Sequence, residues 1–104
     1  MTITELKSLL DATGYPVAYS HFRESVSPPF IVYREVGSEN LGADNKVYHD
    51  VKDFDIELYT TIKDLTSENV IEQILKDNEL PYDTTEVYIE DERLFQKTYE
   101  VRLI

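Results

Sequence analysis

The stretch that decides the fold is NKVYHDVKDFDIELYTTI, residues 45–62. From Lys52 onwards its side chains alternate between polar and apolar, and a period of two is typical of a half-buried strand. The side chains predicted to face the core are Phe54, Ile56, Leu58 and Ile62. Those predicted to face the other way are Asp53, Asp55, Glu57 and Tyr59. Because this stretch is longer than an ordinary strand, we predict a central strand that bends or bulges near Asp50 and extends beyond its sheet.

Two helices are predicted, one before the first strands and one after the long strand. The first covers residues 1–13, where Thr2 and Glu5 have the spacing of a capping box. Gly14 follows at a place where a left-handed residue commonly ends a helix. The second helix covers residues 68–77. Three residues that are good helix N-caps precede it: Asp64, Thr66 and Ser67.

The remaining strands come in consecutive pairs. Segment 37–45, GSENLGADN, holds two of the three glycines and is predicted to be a loop, either mobile or used for contact. Val87 and Ile89 are assigned to the inner face of their strand. The predicted strands are residues 17–22, 30–36, 86–91 and 95–103. This order predicts a single α+β domain over residues 1–104, with a four- to five-stranded, mainly antiparallel sheet and two helices on one face.

Composition limits the possible functions. The 104 residues fit one domain with one core, and 41% of them are hydrophobic. A net charge of −11 opposes non-specific attraction to nucleic acid or anionic lipid. The chain has no Cys, which excludes a disulfide scaffold and a thiolate nucleophile and fits a reducing cytoplasm. We expect no signal peptide, and no stretch approaches the roughly 20 apolar residues of a membrane span.

Residues capable of chemistry are few. His21 and His49, with Asp50 or Asp53, could form a metal site, but their spacing is not that of a helical ligand pair, and surface or interface histidines are the alternative. The carboxylate row of the long strand could serve a magnesium nuclease, yet Leu58 and Tyr59 follow it where such enzymes place a lysine. The other reading of this row is a sheet face that is solvated or covered by a partner.

Eight tyrosines stand out in so acidic a chain. Tyrosine is enriched at protein interfaces, and Tyr59 shares its predicted face with carboxylates. Such a face is typical of an interface. Ordinary β-propensity with half-buried rings explains the tyrosines equally well.

Several short segments together resemble one family. They are YPVAYSHF (15–22), PPFIVY (28–33), ADNKVY (43–48), IELYT (56–60), EVYIE (86–90) and QKTYEV (96–101). The chain resembles small tail completion or tail terminator proteins of long-tailed bacteriophages and prophages of Gram-positive bacteria. This resemblance covers nearly the whole chain, and its motifs are structural. It implies a virion protein, assembled in the host cytoplasm, that forms a ring, commonly a hexamer, on the head-proximal end of the tail tube.

The resemblance also implies the partners. They are other copies of the same chain, the tail tube protein and a head-completion or neck protein, while DNA passes through the lumen without specific binding and no membrane is involved. No catalytic, cofactor-binding or metal residues come with this family. The residues that we predict to contact a subunit or partner are Glu39, Asn40, Leu41, Asp44, Lys46 and Tyr48. Two other functions remain open: another neck component, such as a head-completion or stopper protein, and a metal-dependent enzyme.

Overall fold

The computed structural model describes residues 1–43 and 46–103, with side chains described outside residues 38–50. In chain order the elements are α1 (Ile3–Asp11), β1 (Val17–Tyr19), β2 (Phe30–Ala43), β3 (Lys46–Thr60), α2 (Leu65–Asp77), β4 (Tyr82–Ile89) and β5 (Leu94–Leu103). They form one five-stranded sheet in the order β1-β2-β3-β5-β4. Only the β1–β2 pair is parallel among these neighbours. The predicted α+β class is therefore confirmed.

Both helices begin and end where side chains satisfy their terminal backbone groups. Thr2 and Glu5 form the predicted capping box. Asp64, one of the predicted caps, accepts hydrogen bonds from the backbone N–H and the hydroxyl of Ser67, so α2 begins three residues earlier than predicted. Gly14 has a φ of +83°, in the left-handed region that glycine adopts without strain.

The core lies between the two helices and one face of the sheet. Phe54, Ile56 and Leu58 of β3 are buried there, as the alternation predicted. α1 and α2 cover this face with leucines and isoleucines at helical spacing. Their core residues are Leu6, Leu10, Ile71 and Leu75. Because all of these belong to one cluster, both helices lie on the same face of the sheet.

Three inner-face predictions are wrong, each for a reason of strand geometry. Ile62 is 66% exposed because β3 ends at Thr60. On β4, Tyr82 packs against the core and pairs with Val101. Directly opposed residues share a face, and the strand begins four residues before its predicted start. Val87 and Ile89 therefore have the opposite parity and lie on the face away from the helices.

The loop prediction for residues 37–45 is also wrong over residues 37–43, while residues 44 and 45 lie outside the described residues. β2 continues to Ala43, and its pairing with β3 runs to Ala43 opposite Lys46. Two register shifts interrupt the ladder, one at Val36 of β2 and one at Tyr48 of β3. The second lies two residues from the bulge predicted near Asp50. Glycine weakens a strand, but it is tolerated where the backbone pairing continues and the strand bends.

Candidate assembly interface

The β2–β3 hairpin extends past the rest of the sheet. Pairing between β3 and β5 ends at Lys52 opposite Leu103. Beyond that point β2 and β3 continue together for five more residue pairs, from Glu39–Val51 to Ala43–Lys46. We call residues 39–43 and 46–51 the hairpin arm. In the described part of the chain, no third strand pairs with it.

Most of the predicted contact residues lie on this arm. The backbone of Glu39, Asn40 and Leu41 belongs to β2, and that of Lys46 and Tyr48 to β3. The register brings the two groups close together, since Ala43 pairs with Lys46 and Leu41 with His49. Asp44 lies outside the described residues. The structure thus brings five of the six predicted contact residues together on one hairpin, although the sequence predicts some of them in a loop and the others in the strand after it.

The arm gives the molecule an elongated shape. The principal extents of the molecule are 50 × 28 × 23 Å. The longest of them equals the length of β3, since 15 residues at about 3.3 Å each span about 50 Å. Its radius of gyration is 14.8 Å, whereas a compact domain of this length has about 13 Å. Val51 at the base of the arm is buried, but two strands without a third are marginally stable in water, so the arm is the part of the sheet that gains most from a partner.

The sheet face away from the helices carries the predicted carboxylate row. Arg102 donates two hydrogen bonds to Asp53, at 2.8 and 3.2 Å. Its guanidinium holds the pKa of the Asp53 carboxyl below the usual range. Glu57 is only 4% exposed, and its carboxylate lies 3.1 Å from the Arg34 guanidinium. Two members of the row are therefore already engaged by arginines of the same chain.

Tyr59, on the same face, is satisfied within the chain. Its ring stacks on Phe30 with centroids 4.8 Å apart, and Phe22 packs edge-on against Phe30. The Tyr59 hydroxyl donates to Glu57 at 3.0 Å and accepts from Gln96 at 2.7 Å. Burial is the main cause that raises its pKa. The half-buried Tyr59 ring therefore makes both of its polar contacts within the chain, as ordinary β-propensity with a half-buried ring leads us to expect.

An acidic cleft lies around the Asp53–Arg102 pair. Its volume is about 560 Å³. Four carboxylates and one guanidinium line it, and they belong to Asp53, Asp55, Asp83, Glu100 and Arg102. This excess of negative charge suits a basic group better than an anion.

Among the residues whose side chains are described, no group of three or more His, Asp or Glu is arranged to hold a metal ion. His21 is exposed, and its ring nitrogen lies 3.2 Å from the Ser20 hydroxyl. His49 and Asp50 lie within the segment whose side chains are not described.

A second polar cluster, on the helix side, was not predicted. Glu68, in the first turn of α2, is buried, and Lys63 donates to it at 2.9 Å while Lys97 lies 3.5 Å away. One turn later Glu72 accepts a hydrogen bond from the buried Tyr99 hydroxyl at 2.8 Å. Burial raises the Tyr99 pKa. The i, i+4 spacing of the two glutamates beside the apolar stripe of α2 is the sequence signal for this cluster.

No family model and no curated protein matches the chain. Within the described ranges, no helix is long and apolar enough to cross a membrane.

Proposed function

We propose that this chain is a ring-forming tail terminator or tail completion protein of a long-tailed phage or prophage. It caps the head-proximal end of the tail tube, stops tube growth and prepares the tail for joining to the head. Its partners are other copies of the chain, the tube protein and a neck protein.

One observation carries the proposal, and it is the hairpin arm. The arm extends from a domain whose core is otherwise closed by two helices. A projecting hairpin costs backbone entropy and is marginally stable alone, so contact with a partner is the simplest reason for it. The sequence resemblance to tail terminator proteins supplies the kind of partner.

The charge of the chain fits a ring through which DNA passes. A net charge of −11 repels phosphate, so a lumen lined by carboxylates lets DNA through without holding it. In the assembled ring we expect carboxylates towards the channel. A ring with a basic lumen and its carboxylates outside would contradict this part of the proposal.

The test is the size and shape of the assembled protein. The purified chain is measured by analytical ultracentrifugation over a wide concentration range, alone and with tail tubes, and its assemblies are imaged end-on by electron microscopy. A closed ring with a central channel, hexameric as in the family that the chain resembles, is expected. A chain that stays monomeric at every concentration and does not bind tube ends would contradict the proposal.

A further inference from the structure

The outer edge of β4 is open. Residues 83–88 are all exposed, and in the described part of the chain no strand pairs with the side of β4 that faces away from β5. Native edge strands are commonly short or interrupted by a bulge, a proline or a lysine, because unpaired backbone groups attract other strands. β4 has eight residues in unbroken register, contains no lysine, and Pro81 precedes it. Its charged residues are Asp83 and Glu86, and Glu86 is paired with Lys63 at 2.7 Å.

Apolar side chains flank this edge on both faces of the sheet. Val87 is 52% exposed on the face away from the helices, and Tyr88 is 50% exposed on the helix face. The Tyr88 ring packs against Phe95 at 4.9 Å, which holds it beside the edge. A strand added to β4 would cover both side chains while its backbone pairs with the edge.

The opposite side of the sheet offers a second open edge. β1 pairs with residues 31–33 of β2 only, and the Tyr19 hydroxyl accepts the next outward hydrogen bond, from the N–H of Glu35. From residue 36 to residue 43 no described strand covers that side of β2. This segment has eight residues, which is the length of β4.

We infer that a second copy of this chain occupies the β4 edge, through the outer edge of residues 36–43 of its β2. The two edges lie on opposite sides of one sheet and match in length. Pairing unlike edges is a heterologous contact, which repeats around a ring and leaves no open edge when the ring closes. Pairing β4 with β4 would instead stop at a dimer. This inference rests on the proposed ring and specifies one contact between its subunits.

The absence of cysteine makes a direct test simple. Thr85→Cys places a thiol in the middle of β4, and Asn40→Cys places one in the middle of residues 36–43, so the two meet whether the strands pair parallel or antiparallel. The two single variants are mixed, one of them isotope-labelled, and treated with a short bis-maleimide. Gln73→Cys, exposed on α2, replaces Asn40→Cys in the control mixture.

The expected product is a mixed dimer of Thr85→Cys with Asn40→Cys, in at least tenfold excess over the Gln73→Cys control. Equal yields, or Thr85→Cys dimers alone, in a sample whose mass shows the ring would overturn the edge pairing and leave the ring standing. A sample that contains only monomers, with and without tail tubes, would overturn the ring and the pairing together.

Discussion

Phe54 is a large residue of the core. It is 1% exposed and belongs to the buried cluster. Phe54→Ala should cost about 3–5 kcal/mol of unfolding free energy, which is a large fraction of the stability of a small domain. Chemical denaturation followed by far-UV circular dichroism measures this loss.

Val36→Ala is the control for that substitution. Val36 is an exposed apolar residue at the register shift of the neighbouring strand. Its truncation should change the unfolding free energy by less than about 0.5 kcal/mol. Equal losses for the two variants would mean that burial of the Phe54 ring does not stabilise the fold.

Asp64 should make stability depend on pH. The backbone N–H of Ser67, followed by its hydroxyl, holds the pKa of the Asp64 carboxyl below its ordinary value. A lowered folded-state pKa stabilises the protein above the unfolded-state pKa, and this contribution is lost as the pH falls through the folded-state value. Asp64→Asn keeps a good N-cap but removes the titration. The wild type should therefore be more stable than Asp64→Asn at neutral pH, and the difference should shrink below about pH 5.

Denaturant unfolding at a series of pH values measures this difference. Asp64→Ala, which has neither cap nor charge, should be less stable than both at every pH. A gap between Asp and Asn that stays constant from neutral to acid pH would show that the carboxylate is not the stabilising group.

Single residues were predictable where the alternation was continuous. Phe54, Ile56 and Leu58 are buried as expected because nothing interrupts β3 between them. The predicted face of Val87 was wrong because the face of each side chain depends on which strand residue contacts the core. In β4 that residue is Tyr82, which lies four residues before the predicted start of the strand. The ion pair of Arg34 with Glu57 joins two strands, so no local pattern indicates it.

At the scale of elements, the hairpin arm is expected to act in assembly and not in folding. Lys46→Glu should leave the circular dichroism spectrum and denaturation midpoint unchanged but weaken assembly, because it reverses a charge on the arm. Arg23→Glu makes the same charge change in an exposed loop outside the arm and outside β4, and should assemble normally. Sedimentation of all three proteins compares them. A Lys46→Glu protein that assembles like the wild type would show that the charge of Lys46 takes no part in the contact.

A lysine on the β4 edge should block strand addition. Val87→Lys places a charge beside the open backbone, a device by which edge strands resist pairing. Assembly should weaken by at least about tenfold, or about 1.4 kcal/mol. The matched control is Ile62→Lys, since Ile62 is also an exposed aliphatic residue but follows the end of β3. If Val87→Lys and Ile62→Lys assemble equally well, β4 is not a contact edge.

The elements themselves were mostly predictable, and the hairpin arm was not. Helix caps and apolar stripes are local signals, and those of α1 and α2 indicated both helices. Glycine, serine and asparagine in residues 37–43 favoured a loop by composition. Backbone pairing with β3, a non-local interaction, makes these residues a strand instead.

For the whole molecule, the fold class followed from the order of the elements, whereas the function did not follow from physics. The acidic cleft, the open β4 edge and the hairpin arm are surfaces for contact. Local sequence patterns do not specify which protein covers them. The kind of partner is proposed from the resemblance to tail terminator proteins. The central proposal is that this chain ends tail growth.

Tail length in particles that lack this chain tests that claim most directly. The corresponding gene is deleted in the phage or prophage that encodes it, and tails from the lysate are measured by negative-stain electron microscopy, with the gene supplied in trans as the control. Overlong, headless tails that return to normal length on complementation are the predicted result. Tails of normal length together with heads that leak DNA would contradict the account and identify the chain as another neck component.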